Sequence, residues 1–491
     1  MKTTLSFTGI LCLIITLITL PASHSYAQWD PSPGRPGVTS TGFVRAAWGN
    51  SEYLFVGGGL TEINGVVASR IVRFNGSAWE AMGDGFNSDV ILIFEYDYGD
   101  VPVLHASAQL SGLFRWNGEA WENAGITGGG VVSSWAVYDN GTGPTLYVGG
   151  NFTRASDRTA NRIARWNTET ERWDAIGSGV NGPVSAMKVW DDGSGEALYL
   201  GGNFTTSGGV ATAYVSRLRG TVFEEVGGGM AKGTVGLNIP AIKSMAVFDD
   251  GSGEKLYAGG QFGEAGGVEA RFMAAWDGNA WAPVGGGFNA TIEALQIGGG
   301  QQGSFLYAGG QFTSAGSSFS VNRIARWDGE QWQRLFRADS LAFGTGGFVN
   351  ALADWTTADD RVLVVGGQFF NVSDLPAARI AFYREQAVGT GGPVSIDDTG
   401  IGLPGQFTLF QNYPNPFNPS TIIRFHIATE ARVTLNIYDL TGRSIAQLLD
   451  QRMRAGEHSA TFDAAGLTSG IYLYRIRADG WTATQKMVLI K

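Results

Sequence analysis

Acidic side chains are the residues of this chain that could most readily do chemistry. Asp-Asp pairs occur at 191–192, 249–250 and 359–360, and two carboxylates held close together can cleave a glycosidic bond. Closely spaced carboxylates are also the hard oxygen ligands that calcium accepts. Each pair lies in a predicted hairpin turn, however, where a short carboxylate stabilises the turn. We therefore favour turn formation and expect no cofactor, with calcium in the Asp/Gly turns left open.

Histidine and the common catalytic motifs add little to this chemistry. His105 is the one histidine between residues 28 and 386, so neither a histidine-rich metal site nor a supported Ser-His-Asp triad is expected there. GxSxG, HExxH and P-loop spacings are absent from the sequence. We predict a protein that is not an enzyme. The alternative is an extracellular carbohydrate-active enzyme that uses carboxylates.

A repeated unit organises residues 40 to 385. An apolar run ending in a glycine pair occurs at Gly57, Gly149, Gly201, Gly259, Gly309 and Gly366, and Ser107 takes the glycine position in the second unit. The spacings of 42 to 58 residues fit four short strands per unit, as in a propeller blade. Because the glycine has no side chain, it lets neighbouring sheets approach closely.

Each unit reads as four strands in order. A first strand leads through an Asp/Gly turn to the strand that ends in the glycine pair. A third strand such as RIARW at 162–166 follows, and then a fourth strand opened by an aromatic residue. The position of His105 in the second strand is occupied by tyrosine in four other units: Tyr147, Tyr199, Tyr257 and Tyr307. We therefore interpret His105 as a repeat variant.

The seventh unit lacks its own fourth strand. After residues 379–385 the chain becomes Gly-rich, whereas Gln28-Trp29-Asp30 resembles the missing strand. An N-terminal strand that completes the last sheet removes open sheet edges. The prediction is therefore an all-β, seven-bladed β-propeller closed by an N-terminal strand, with six or eight blades as the alternative.

The strand, glycine-pair and tryptophan pattern resembles kelch-type propellers, and more closely the Rax2-like propellers with GGxFT units. The resemblance implies a binding platform. Its ligand should contact loops at one end of the ring, where second strands lead to third and fourth strands lead to the next first strand. The candidate ligand-binding residues in these mouth loops are Asn151, Thr153, Asn203, Thr205, Gln261, Gln311, Thr313 and Gln368.

A phenylalanine follows the candidate amide in most of these loops, at Phe152, Phe204, Phe262, Phe312 and Phe369. An aromatic ring beside polar groups could stack on a sugar or hold a peptide, so a surface glycan and a protein are both possible ligands. We favour the simpler interpretation that each ring packs beneath its own loop.

Charge and cysteine content exclude several classes of protein. The net charge is −10 and Lys and Arg are scattered, so a nucleic-acid partner is not expected. Cys12 is the only cysteine and lies in the apolar N-terminal segment. Once that segment is removed, neither a disulfide nor a thiolate metal site can form.

The N-terminus predicts export. Residues 1–27 contain Lys2, an apolar core and a small-residue end at Ser25-Tyr26-Ala27, which is typical of a secretory signal peptide cleaved before Gln28. The apolar core is short for a membrane span, so no transmembrane segment is expected in the mature chain.

The C-terminus follows a Gly/Pro-rich stretch at 387–404. Residues 405–491 alternate apolar and polar side chains between Gly turns, which predicts a small Ig-like antiparallel β-sandwich. NYPNPFNPST at 412–421, GLTSGIYLYRI at 466–476 and KMVLIK at 486–491 resemble the type A C-terminal sorting domain of the type IX secretion system. By position, Asn415, Pro416, Gly442, Gly470, Tyr472 and Lys486 match the recurrent residues of that family.

The tail resemblance implies a route and a location. It implies passage through the periplasm, recognition by type IX machinery at the outer membrane of a Gram-negative bacterium, and release or surface attachment. The expected domains are a signal peptide at 1–27, the propeller at 28–386, a linker at 387–404 and the sorting domain at 405–491. The expected function is a secreted or cell-surface binding module.

Overall fold

The structure is a computed structural model. It describes residues 28–30, 37–38, 42–99, 101–127, 129–233, 239–300, 303–316, 319–337, 340–356, 361–373, 375–384, 408–409, 412, 417–427, 429–439, 443–454, 456–478 and 481–490. The predicted signal peptide and the whole of the predicted linker lie outside the described residues. The described elements are all strands, so the all-β prediction is confirmed. The chain divides into two compact units, at 1–389 and 390–491.

The first unit contains seven four-stranded antiparallel sheets. The first strands of sheets 1 to 7 are Val44–Gly49, Val90–Asp97, Val132–Asp139, Val184–Asp191, Ala241–Asp249, Ile292–Gly300 and Val349–Thr356. The second strands are Leu54–Gly58, Pro102–Ala108, Pro144–Gly150, Glu196–Gly202, Glu254–Gln261, Gly303–Gly310 and Arg361–Gly367. The third strands are Ile71–Phe74, Gly112–Trp116, Ile163–Asn167, Val215–Arg219, Met273–Trp276, Ile324–Trp327 and Ile380–Arg384. The fourth strands are Trp79–Ala81, Trp121–Asn123, Arg172–Ala175, Val222–Glu225, Trp281–Pro283, Trp332–Gln333 and, for sheet 7, Gln28–Asp30.

The sheets follow one another in a cyclic order. Each first strand contacts the first strand of the next sheet, and the first strand of sheet 7 contacts that of sheet 1. The contacts between first strands therefore form a continuous series through all seven sheets. The fourth strands lie at the outer edges.

The N-terminal strand pairs with the last sheet, as its sequence predicts. Trp29 lies opposite Tyr383, and its side chain is fully buried. The Trp29 indole N–H donates to the Leu335 carbonyl of the preceding sheet, at 3.2 Å. The tryptophans of four other sheets donate to the preceding sheet in the same way: Trp121 to Met82, Trp173 to Ala124, Trp281 to Val226 and Trp332 to Val284.

The mouth loops contain more regular structure than expected. Between the second and third strands, six sheets form a short hairpin: Glu62–Ile63 with Val66–Val67, Arg154–Ala155 with Arg158–Thr159, Thr206–Ser207 with Val210–Ala211, Glu264–Ala265 with Val268–Glu269, Ser314–Ala315 with Phe319–Ser320, and Asn371–Val372 with Leu375–Pro376. Ile126–Thr127 and Met230–Ala231 extend two of these hairpins to three strands, and Phe336–Arg337 pairs with Ser340–Phe343. Two-residue strands have no readable period, so the sequence predicts irregular loops for these segments.

The second unit contains two antiparallel sheets. One consists of Thr408–Leu409, Ser420–Ile427 and Gly456–Asp463. The other has the order Ser444–Met453, Ala431–Tyr438, Gly470–Ala478 and Trp481–Leu489. Residues of both sheets, including Phe425, Leu435 and Tyr474, share one buried apolar core. The apolar side chains that alternate along these strands therefore face the shared core, as the sequence pattern predicts.

Candidate functional site

The start of each first strand carries a β-bulge. In sheet 1, Val44 pairs with Gly58 and Ala46 pairs with Gly57, so Arg45 is the extra residue. All seven first strands show this register shift after their first apolar residue. The extra residues are Arg45, Ile91, Ser133, Ser185, Lys243, Glu293 and Asn350. A bulge redirects a side chain out of the strand's regular alternation.

The residue after the glycine pair lies beside the bulge. The backbone N–H of Gln368 donates to the Phe348 carbonyl at 2.8 Å, and that of Gln311 donates to the Thr291 carbonyl at 2.9 Å. Each bond links the end of a second strand to the segment that enters its first strand. Bulge residues and amide side chains therefore lie at the same end of their sheets.

A cavity of about 440 Å³ opens at this end. Its lining residues come from five of the seven sheets: Arg45, Ile91, Lys243, Glu293, Gln311, Phe348, Asn350 and Gln368. Five of the eight are bulge residues, and two are the amides that follow a glycine pair. We call this space the mouth cavity.

The charged groups of the mouth cavity differ in their partners. The Arg45 guanidinium donates to Asp89 at 2.9 Å and lies 4.2 Å from the centre of the Phe43 ring. The Glu293 carboxylate accepts a hydrogen bond from the Gln311 amide at 2.7 Å. Glu293 is the one carboxylate among the lining residues. The cavity therefore offers hydrogen-bond donors and acceptors together with a partly exposed aromatic ring, Phe348.

Two of the eight predicted ligand residues, Gln311 and Gln368, line the mouth cavity. Thr205 and Thr313 instead take part in hydrogen bonds that join two loops, which we call clasps. Their hydroxyls accept from the amides of Asn181 and Asn289, both at 2.9 Å. These threonines tie the mouth loop to the segment that enters the same sheet.

The other four predicted ligand residues lie outside the lining of the cavity. The Asn203 amide donates to the Pro240 carbonyl at 3.2 Å. Gln261 is half-buried, whereas Asn151 and Thr153 are exposed. The five recurrent phenylalanines are at most 2% exposed. The interpretation that these rings pack beneath their loops is confirmed.

The signal for the bulge residues was present in the sequence. The residue before the bulge is Val or Ile in every unit, whereas the next residue changes from Arg to Ile, Ser, Lys, Glu or Asn. A variable position inside an otherwise constant repeat indicates a role specific to each unit. The alternation expected for a regular strand concealed this position, because a bulge breaks the period.

The Asp/Gly turns at 191–195 and 249–253 lie at the other end of the sheets, whereas the Asp pair at 359–360 lies outside the described residues. Asp191 accepts from the backbone N–H groups of Gly193 and Gly195, both at 2.9 Å. Burial by itself would raise the pKa of Asp250, but hydrogen bonds from Lys255, Ser252 and Tyr257 lower it to about 2. These contacts support turn formation, because protein donors already surround the carboxylate. The described residues contain no group of three or more His, Cys, Asp or Glu placed to hold a metal ion.

His105 lies in the interior of sheet 2. Its ring stacks on Phe94 at 4.9 Å, and its nitrogens contact the Tyr98 hydroxyl at 3.0 Å and the Val103 carbonyl at 2.9 Å. Burial lowers the pKa of His105 to about 4. The ring is therefore neutral near pH 7 and packs as the tyrosines do in other sheets.

The predicted sorting residues fall in several environments. Asn415, Pro416 and Gly442 lie outside the described residues. Gly470 begins a strand, and Tyr472 is buried with its hydroxyl donating to the Thr468 carbonyl at 2.8 Å. Lys486 is exposed on the strand at the sheet edge.

Comparison with protein families identifies two regions. Residues 115–297 match the Rax2 C-terminal beta propeller domain, and residues 411–491 match the secretion system C-terminal sorting domain. Both resemblances seen in the sequence are therefore confirmed. The chain combines propeller-type repeats with a tail that indicates export by the type IX secretion system. The described residues contain no helix that is long and apolar enough to span a membrane.

The solved structures that are similar to the chain include the following three. PorZ of Porphyromonas gingivalis, described as an essential bacterial surface component of the type IX secretion system, is 15% identical with a TM-score of 0.42. The match covers 93% of this chain and 60% of PorZ, so the chain spans less than two thirds of it. A glycoside hydrolase family 43 arabinoxylan arabinofuranohydrolase from Bacillus subtilis is 10% identical with a TM-score of 0.24, covering 75% and 97%. Latent PorU of P. gingivalis is 10% identical with a TM-score of 0.16, covering 95% and 34%. No curated protein matches the chain.

Proposed function

We propose that this protein is an exported binding protein that holds a surface saccharide in the mouth cavity. The observation that carries the proposal is the cavity itself, about 440 Å³ in volume and lined mainly by polar side chains. Ligand sites are typically concave and combine a few placed polar groups with apolar surface. The volume lies within the range of sites for small ligands.

The lining favours a saccharide over a peptide. Gln311, Gln368 and Asn350 each present an amide, which both donates and accepts hydrogen bonds as sugar hydroxyls require. Phe348 is 38% exposed beside them and offers an aromatic face to the apolar side of a sugar ring. An extended peptide would instead be expected to pair with an open strand edge or a groove.

A saccharide array probed with the mature chain tests this proposal. We expect binding to a restricted set of saccharides, and about tenfold or more weaker binding by a Gln311→Ala/Gln368→Ala variant, since each lost hydrogen bond costs about 1 kcal/mol. Asn151→Ala/Thr153→Ala is the matched control at the same end of the sheets. Equal binding by all three proteins would contradict the mouth cavity as the site.

The alternative function is cleavage of extracellular polysaccharide. Glycoside hydrolysis by the common mechanism needs two carboxyl groups about 5 to 10 Å apart. Glu293 supplies one of them to the mouth cavity, and the other lining residues supply none. We therefore propose binding without turnover. Release of reducing ends from a polysaccharide, abolished by Glu293→Gln, would favour the enzyme instead.

We further propose a closed seven-bladed propeller at 28–386, a linker at 387–404 and an Ig-like sandwich at 405–491, after a signal peptide at 1–27. The cyclic contacts of the seven first strands and the shared core of the tail sheets support these assignments. The candidate ligand residues are Gln311 and Gln368 together with the bulge residues of the cavity. N-terminal sequencing of the exported protein should begin at Gln28, and a different start would contradict the first boundary.

No cofactor is part of this proposal. In the Asp/Gly turns, Asp192 bonds to Ser194, Tyr199 and Arg217, so donors of the protein take the place of a cation. Calcium added to chelator-treated protein is expected to leave the melting temperature unchanged. A clear rise in that temperature would contradict the assignment of these turns as purely structural.

A further inference from the structure

One sheet of the tail unit presents cations on its outer face. The strands Gly470–Ala478 and Trp481–Leu489 pair so that Leu473 lies opposite Lys486 and Arg475 lies opposite Thr484. Tyr472, Tyr474 and Ile476 point into the shared core, so their neighbours in sequence point outward. Arg475, Arg477 and Lys486 therefore lie on one face, which we call the cationic face.

The arginines of this face lack acidic partners within the described residues. Arg475 donates to the Thr484 hydroxyl at 3.0 Å, and its guanidinium lies 5.3 Å from the centre of the Tyr438 ring. Arg477 forms no ion pair with a described residue. On the other two strands of the same sheet, Arg432 pairs with Asp450 at 2.9 Å and Arg452 pairs with Glu430 at 3.2 Å.

Apolar side chains lie beside the cations. Ile471 is 40% exposed on the same face, and Leu473 and Val488 are half-buried there. Interfaces commonly combine apolar contact area with arginine and aromatic side chains, whereas a surface serving solubility alone has no need of the apolar strip. The arrangement is therefore suited to contact with another macromolecule.

The sign of the charge is opposite to that of the rest of the chain. Residues 405–491 contain nine Lys and Arg against six Asp and Glu, whereas residues 28–404 contain 24 against 38. The cationic face is thus a local feature of the tail. Complementary charge increases the rate and specificity of association.

We propose that the cationic face docks the chain onto an acidic surface of a protein in the outer-membrane export machinery. This inference rests on the proposed export route and assigns the face and the chemistry by which the tail is recognised. The arginines provide planar donors for carboxylates, and the apolar strip excludes water around them.

Charge reversal in the full-length chain tests the docking face. In the native bacterium, Arg475→Glu/Arg477→Glu is expected to reduce surface-exposed or released protein roughly tenfold or more, with accumulation in the periplasm. Arg475→Lys/Arg477→Lys keeps the charge and should be exported. Melting curves of the purified variants should match the parent, which separates lost docking from misfolding.

Arg432→Glu/Arg452→Glu is the matched control, because it makes the same charge change on the other two strands of the sheet, at arginines that already have acidic partners. Normal export of the Arg475/Arg477 charge-reversal variant, or equal retention of the control, would overturn the proposal. A deletion of residues 405–491 shows separately whether the tail directs export at all.

Sedimentation with vesicles of anionic phospholipid completes the test. If the parent protein binds these vesicles and the charge-reversal variant does not, the partner is a lipid surface and not a protein.

Discussion

At the scale of single residues, the glycine pair is explained by the atoms that a side chain would meet. A Cβ on the first glycine of six pairs would lie 2.3 to 2.7 Å from the Val or Ile that begins the next sheet. For Gly366 that neighbour is Val44, so sheet 7 packs on sheet 1 as the other sheets pack on their successors. Ser107 replaces this glycine in sheet 2, and its hydroxyl accepts from the Val132 N–H of sheet 3 at 3.0 Å.

A methyl group at this position should strain the contact between sheets. Gly201→Ala would place its Cβ 2.6 Å from the Ile242 side chain, and overpacking of this kind costs about 1–3 kcal/mol. Denaturant unfolding should show that loss. The loss should shrink in an Ile242→Ala background, because the smaller side chain leaves room. Strictly additive effects of the two changes would contradict this explanation.

His105 should make stability depend on pH. Its pKa is about 4 in the folded protein, against an ordinary value of 6.5, because it is buried. Between these values the unfolded chain binds more protons, so the free energy of unfolding falls as the pH decreases from 6.5 towards 4. The full effect is roughly 3 kcal/mol. His105→Tyr, the residue of four other repeats, should flatten this dependence in unfolding curves measured across that window. An unchanged slope would contradict the buried neutral ring.

At the scale of elements, arginines link three of the seven sheets to the next sheet. Arg162, Arg323 and Arg379 precede the third strands of sheets 3, 6 and 7 with φ near +70°. Their guanidinium groups donate to carbonyls of the segment that enters the next sheet. Arg379 donates to Val38 at 2.6 Å, so residues near the N-terminus serve sheet 7 as ordinary connecting segments serve the others.

Trp29 should contribute as much to the free energy of unfolding as a tryptophan in one of the other sheets. It is fully buried and bonds to the preceding sheet, as Trp173 does. Trp29→Ala and Trp173→Ala should each lower the free energy of unfolding by ~3–5 kcal/mol. Calorimetric melting of both variants measures this. A Trp29 variant as stable as the parent would show that the N-terminal strand adds nothing to sheet 7.

The strands of the repeat can be predicted from the sequence, whereas most residues of the cavity cannot. The four-strand repeat and the missing strand of the seventh unit are readable because glycine pairs and tryptophans recur at fixed places. Gln311 and Gln368 are readable for the same reason. For Arg45, Lys243 and Glu293 the sequence shows only a position that varies from unit to unit. It does not place them in the cavity, because a bulge does so and no sequence period marks a bulge. The clasps of Thr205 and Thr313 depend on partners 24 residues away.

At the scale of the whole molecule, the two units have different features. The first unit presents a cavity, and the tail carries the match to the secretion sorting domain. Removal of residues 405–491 should therefore leave the first unit folded in the periplasm and absent from the cell surface. Cell fractionation with surface protease treatment measures this, and unchanged surface display would contradict the export route.

The central claim is that the mouth cavity is the binding site. The most direct test is calorimetric titration of the mature chain with the strongest saccharide from the array. Asn350→Trp would fill the cavity, whereas Ser185→Trp makes the same change at the equivalent bulge of sheet 4, which does not line the cavity. We predict one site per chain, lost in the Asn350 variant and kept in the Ser185 variant. Undiminished binding by the Asn350 variant would contradict the claim.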